Sequence, residues 1–410
     1  MLTRSNRENI LSKIEKQVAE KFYDPTFGGK SWPSIVDAHR REILDAVDDA
    51  TFESTVSRML AEVGTSGLGL LGKDTKVNSR NSINASFKSV TTSDDGTRWV
   101  FQDVLPGGVA SRAGVQTADV LLSVNALDIV PPNAPIFAIG ASTPMVISRN
   151  GDRKELKITL HSRPPKYRDN PYAEPQSVKA SLGSQAVGNL KISLFPGKIG
   201  IDFANQVDSV FAGELAGAER LIIDLRGNPG GGIGGLRLMS YLTPARQPIG
   251  YSLDRRMVER GEKPDQLPRF GKIPKSKLEI PLLALKYGGK KSVALETEGL
   301  GAKRFHGRIV LLVNEHSTGA AEMVAQFAKE NALAKIVGTK TPGRLVSRSA
   351  FPVGMNYQIT IPVAAYVSWN GTTVEGKGIE PDVPVDWSYP EALTGVDNQL
   401  QRAVAIALAM

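Results

Sequence analysis

Between residues 221 and 232 the chain reads LIIDLRGNPGGG, an apolar run that stops on an acid and a base and then gives up its side chains. Residues 221–225 have the length and apolar character of a buried strand. Gly227, Gly230, Gly231 and Gly232 admit positive φ and let main chain approach a ligand closely, while Pro229 stiffens the turn. Bare amides held in such a turn can bind an oxyanion. The same string also suits a plain glycine-rich loop after any α/β strand, so the rest of the chain has to decide.

A chain of 410 residues, 41% hydrophobic and 22% charged, can bury sizeable cores and divides into roughly three domains or subdomains. Its 50 Lys+Arg exceed its 42 Asp+Glu by 8. Because the bases are spread along the sequence, that excess describes a solvated surface and not a nucleic-acid groove. There is no cysteine, which excludes disulfides, thiolate catalysis and cysteine-held metal. His39, His161, His306 and His316 show no metal spacing, so neither metal nor cofactor is expected. The first 22 residues are charged and amphipathic and lack the apolar core of a secretory signal, and no run reaches the ~18 apolar residues of a membrane span. As written, the chain is expected to be cytoplasmic; if its start has been trimmed, it is an exported protein.

Apolar residues recur at helical spacing through Ile10, Ile14, Val18 and Phe22, again through Ile35, Ile43 and Val47, and again through Phe52, Val56, Met59 and Leu60. Three helices are predicted, forming a cap over residues 1–72. Short strands follow from Ile83 to Leu160. Residues 163–181, rich in Pro and charge, read as a linker. Beyond it, two strands are predicted over 189–203, helices over 207–218 and 233–242, and strand–helix–strand over 309–313, 320–332 and 336–338. A basic, Pro-bearing stretch, 252–289, reads as an insertion of unassigned purpose, and residues 396–410 as a C-terminal helix.

The string D-L-R-x-N-P-G-G resembles the signature of the carboxy-terminal processing, or tail-specific, serine peptidases, relatives of the tricorn core protease and of the interphotoreceptor retinoid-binding protein. FYDPTFGGKSW, from residue 22, is similar to a segment near the start of the longer members. VLPGGVASRAGVQTADVLLSVN, residues 104–125, resembles the core of a PDZ domain, with a short helix over 110–113. The resemblance implies a multidomain α/β fold: the helical cap, a PDZ domain at 82–162, and a crotonase-like ββα peptidase core at 182–395. It implies that the PDZ domain takes a peptide or protein C-terminus through Ser82, Ile83, Asn84, Ala85, Ser86 and Phe87. It also implies that Gly230, Gly231 and the helix start at Ala320 supply oxyanion-hole amides.

The same resemblance places the nucleophile in VNEHSTGAAEM, where the family's serine column falls on Gly319. The family's lysine base falls on Arg344, whose guanidinium stays protonated and cannot take a proton from serine. In the tricorn branch the base comes from a Ser-His pair; here Ser66 is present and the histidine is Gly67. Glu375, in VEGKGIEPDVPV, is the acid that the pattern retains. Ser317 is the alternative nucleophile, but a two-residue shift at a helix start turns a side chain by about 200° onto the opposite face, so Ser317 is read as the helix N-cap bonding the amide of Ala320. A Ser→Gly exchange alone explains Gly319 and leaves Gly67 and Arg344 unexplained.

The resulting expectation is a catalytically degenerate homologue that holds a peptide or a small acidic ligand in the old cleft, with Arg344 clamping an anion. The competing structural role for Arg344 is a pair with Glu322 or Glu375 that closes the cleft. An active serine hydrolase using Ser317 and a small-molecule carrier remain as alternatives.

Overall fold

The computed structural model describes residues 1–72, 82–138, 140–160, 176–197, 199–287 and 292–410. The predicted linker falls largely outside these residues.

The three N-terminal helices form as the periodicity predicts, at Arg4–Lys21, Trp32–Leu44 and Asp49–Ala61. Each starts on a side-chain cap: Thr3, Ser31 and Asp48 accept from the amides of Asn6, Ser34 and Thr51. Their apolar faces close on a β-hairpin that the sequence reading left unassigned, Val346–Gly354 with Tyr357–Ser368. The signal was present, since Tyr357, Ile359 and Ile361 are buried at strand spacing. This hairpin belongs to a six-stranded sheet with Gly69–Leu71, Pro248–Asp254, Ala294–Glu296 and Arg269–Phe270.

A second sheet runs in the order Val383–Pro384, Lys335–Gly338, Arg308–Val313, Arg220–Asp224, Val187–Ile192, Val178–Leu182. All neighbours are parallel except the last pair. Residues 178–181, assigned to the linker, are therefore edge strand. Among the described residues the second strand expected within 189–203 does not form; the chain turns at Gly200, φ 74°, and starts the helix Ile201–Ala212. Ile201, Ala204 and Val207 bury one helical stripe, which is why that helix begins six residues before its predicted start.

The third sheet takes the order Ala85–Thr92, Gly96–Val104, Val120–Val124, Ser142–Arg149, Asp152–Thr159, with a short helix Val109–Arg112 beside it. Ala85–Thr92 is its edge strand. No helix among the described residues is long and apolar enough to cross a membrane.

Candidate active site

In a parallel sheet, ligands bind beyond the carboxyl ends of the strands. Arg220–Asp224 and Arg308–Val313 lie side by side, with Asp224 opposite Leu312, and each ends in a turn. The turns are stitched together. The amide of Leu225 donates to the carbonyl of Leu312 (2.8 Å), that of Gly227 to Asn314 Oδ1 (3.0 Å), and that of Thr318 to the carbonyl of Asn228 (2.9 Å). Asn228 itself donates to the carbonyl of Ile192 and accepts from the amide of Gly230, both at 2.8 Å.

The acid and base of the signature anchor this assembly from behind. Arg226, 7% exposed, donates to both oxygens of Asp224 and of Asp397 and to Gln399. Burial opposes the charge on Asp224, but Arg226 and Lys191 hold its carboxyl far below the ordinary carboxylate range. Asp397 is the N-cap of the helix Asn398–Ala409, so the last helix is tied to the glycine turn. Sequence reasoning missed this partner, which lies 171 residues away.

Gly319 is the N-cap of Ala320–Glu330, at φ 59° and ψ −120°. A Cβ added there would meet Gly230 Cα at 3.5 Å, the Pro229 carbonyl at 3.8 Å and the Arg344 carbonyl at 3.9 Å, all ordinary contacts. The position thus has room for a side chain aimed between the two turns, at the cost of a backbone region that L-residues rarely occupy. Glu322, fully buried in the first turn of the helix, accepts from the Thr341 hydroxyl (2.6 Å) and from the amides of Gly343 (2.7 Å), Arg344 (2.8 Å) and Gly319 (3.1 Å). It joins the helix start to the 341–344 turn.

The other expected residues fall around this centre. Glu375 accepts from the amides of Ser66 (2.6 Å) and Leu345 (2.9 Å), drawing the end of the helical cap against the 344–346 turn. A Cβ on Gly67 would touch Val346 and Arg348 at 3.3 and 3.4 Å. The Arg344 side chain is exposed and forms no ion pair among the described residues, so neither Glu322 nor Glu375 holds its guanidinium; both acids bind backbone amides of this turn. Lys340 pairs with Glu380 at 2.6 Å.

Three expectations are corrected. Ser317 is not the N-cap: it is fully buried, donates from Oγ to the carbonyl of Leu225 (2.8 Å) and accepts from the amide of Asn314 (2.9 Å), because it fills the turn between the two strands. The Gly230 amide is spent on Asn228, whereas the amides of Gly231 and Ala320 have no hydrogen-bond partner among the described residues. Ile83 lies in the core of the third sheet, its carbonyl taken by the amide of Ala110, and it does not face the cleft.

Two cavities flank Gly319. One, of about 370 Å³, is walled by Ser82 and Asn84 to Phe87 on one side and by Gly227, Pro229, His316, Thr318 and Arg344 on the other. It brings the expected peptide-binding segment and Arg344 together. The second, of about 940 Å³, runs from Gly231, Gly319, Ala320 and Met323 to Tyr251, Phe270, Leu283 and Tyr287. The 252–289 stretch adds Phe270, Ile280, Leu283 and Tyr287 to that apolar wall, a part the sequence alone did not suggest.

Asp103 spans the seam between the third sheet and the turns, accepting from Ser86 Oγ (2.5 Å) and Asn314 Nδ2 (2.9 Å). Nearby, Lys88 pairs with Glu315 at 3.2 Å. Burial works against the charge on Glu315, but the Thr339 hydroxyl, a backbone amide and Lys88 bring its carboxyl down to about 2.

The sequence matches the model of peptidase family S41 over residues 186–385, a span that contains both turns. The carboxy-terminal processing protease CtpB of Bacillus subtilis is 21% identical over 377 residues, covering 89% of this chain and 69% of that protein. CtpA of the same organism is also 21% identical, over 94% and 70%. The chain belongs to the carboxy-terminal processing peptidases of family S41. Among solved structures, the photosystem II D1 C-terminal processing protease superposes with a TM-score of 0.56 at 16% identity, covering 93% of each chain. Mature CPAF complexed with lactacystin gives 0.56 at 14%, covering 98% of each. At such identities the likeness to these structures is one of fold.

Proposed function

We propose that this S41 homologue binds a peptide in the cleft without hydrolysing it. The observation that carries the reading is Gly319: the helix start, the free amides of Gly231 and Ala320 and the Glu322 clasp are assembled around a position with no side chain. In this reading the third sheet is a PDZ domain and the parallel sheet a crotonase-like core. Ala85–Thr92, an edge strand, can add a peptide as a further strand, and its first residues line the same 370 Å³ cleft as Arg344. Arg344, a cation without an ion pair among the described residues, clamps a carboxylate or carbonyl of the guest, and an apolar side chain of the guest enters the 940 Å³ cavity. Labelling of the purified protein with a fluorophosphonate tests this: no adduct and no cleavage of unstructured polypeptides is expected, and an adduct would overturn it.

A displaced nucleophile is the second reading. Thr318 favours it over Ser317, since its side chain lines the cleft beside His316, whose Nε2 has no partner among the described residues. An adduct lost in Thr318→Val but kept in Ser317→Ala would establish that chemistry. A small-molecule carrier would use the 940 Å³ cavity alone and would be blind to substitutions in the Ser82 to Phe87 segment.

A further inference from the structure

A third cavity, of about 630 Å³, lies on the far side of the seam between the third sheet and the parallel sheet, closed by the segment from Trp387 to Asp397. Its volume lies within the range of small-ligand sites. Most charges around it are already matched: Arg149 with Asp119, and Arg226 and Lys191 with Asp224 and Asp397. Asp103 is engaged by Ser86 and Asn314.

Two groups are not matched. Gln102 is 4% exposed, and neither its amide oxygen nor its amide nitrogen has a hydrogen-bond partner among the described residues. A buried amide left in that state is costly, and a hydrogen-bonding partner entering the cavity would offset that cost. Lys179 lines the same cavity, is exposed, and forms no ion pair among the described residues. It stands directly across from Lys191 in the antiparallel register. Lys191 is held by Asp224 (3.2 Å) and the Arg226 carbonyl (2.7 Å), which leaves Lys179 beside a like charge with no carboxylate paired to it among the described residues.

A primary amide offers one acceptor and two donors. In an extended peptide the N–H and C=O of one residue point to the same side, so a single glutamine amide can bond both. We propose that this cavity is a second peptide site, separate from the cleft, which takes a short extended segment with a free terminal carboxylate: Gln102 bonds the main chain of one residue and Lys179 the carboxylate. Gln102 immediately precedes Asp103, so an occupant bears on the strand that also holds Ser86 and Asn314.

Trialanine and its carboxy-terminal amide are suitable probes, read by fluorine NMR of full-length protein labelled with 5-fluorotryptophan. The chain has four tryptophans, and only Trp387 lines the cavity; Trp387→Phe assigns its resonance. Trialanine is expected to shift that resonance saturably, and the amidated peptide to bind about 10-fold more weakly, as loss of a charge-assisted hydrogen bond predicts. Gln102→Leu should abolish the shift, and Lys179→Ala, an exposed change that spares the fold, should weaken it about 10-fold. Arg344→Ala should leave it unchanged. A Trp387 resonance that trialanine does not move, or that moves equally in Gln102→Leu and Lys179→Ala, overturns the proposal. So does Gln102→Leu raising the melting temperature with the titration unaltered, which would mean that the amide was satisfied by water.

Discussion

The ground beneath Gly319 and the surface around it are built on opposite terms. Beneath, Glu322 is a buried carboxylate that accepts four hydrogen bonds, placed in the first turn of a helix whose dipole favours its charge. Above lie a glycine at 319, the exposed Arg344 without an ion pair among the described residues, and, packed beside Val346 and Arg348, another glycine at residue 67. The frame of this site and the groups that border its cleft are therefore separable. The first is a matter of backbone amides and one acid; the second comes down to Arg344, since the other two positions carry no side chain.

The sharpest way to break that comparison is through the frame. Glu322→Ala strands four donors at once and should destabilise the protein by about 3 kcal/mol or more, seen in urea unfolding as a lower midpoint with an unchanged slope. A loss under 1 kcal/mol would mean that water replaces the carboxylate and that the turn is not held by it.

Next comes rebuilding the surface. Gly319→Ser with Arg344→Lys should give fluorophosphonate labelling about 10²-fold above background, although the serine must carry roughly 1–3 kcal/mol of backbone strain at this φ. A folded double mutant that does not label would show that the frame alone does not aim the hydroxyl. Arg344→Ala should weaken a bound peptide by about 10-fold while leaving the melting temperature unchanged, because the side chain is exposed and forms no ion pair among the described residues. A lowered melting temperature with unaltered affinity, measured by calorimetry, would return Arg344 to the frame.

The smallest effect lies at the seam. The Glu315 carboxyl is lowered to about 2, so its contribution is complete above the ordinary carboxylate range and is lost as pH falls toward 2. Lys88→Met should thus cost a few tenths of a kcal/mol near neutral pH, the pair being a third exposed on each side, and the difference from the parent should vanish by about pH 2. A pH-independent difference would assign Lys88 to packing.

Much of this was legible in the chain. The glycine string located one turn, and the helix start at Ala320 located the other, since both are short-range patterns. The identity of the acceptor for each amide was not legible. Asn228 captures the Gly230 amide and Ser317 fills the strand end because two strands far apart in sequence lie side by side. The 346–368 hairpin was missed although its alternation is strong, and the 252–289 stretch was left without a purpose because only the closed sheet turns its apolar residues toward Gly319.

The bond from Arg226 to Asp397 also sets an order of events. A chain made from its amino end exposes the glycine turn long before its final helix exists. Until residue 397 emerges, Arg226 has Asp224 but not the second carboxylate or Gln399 that complete its hydrogen bonds. The glycine turn thus becomes rigid only after residue 399 has been made, and a nascent chain lacking the helix Asn398–Ala409 would present the cleft without its lock.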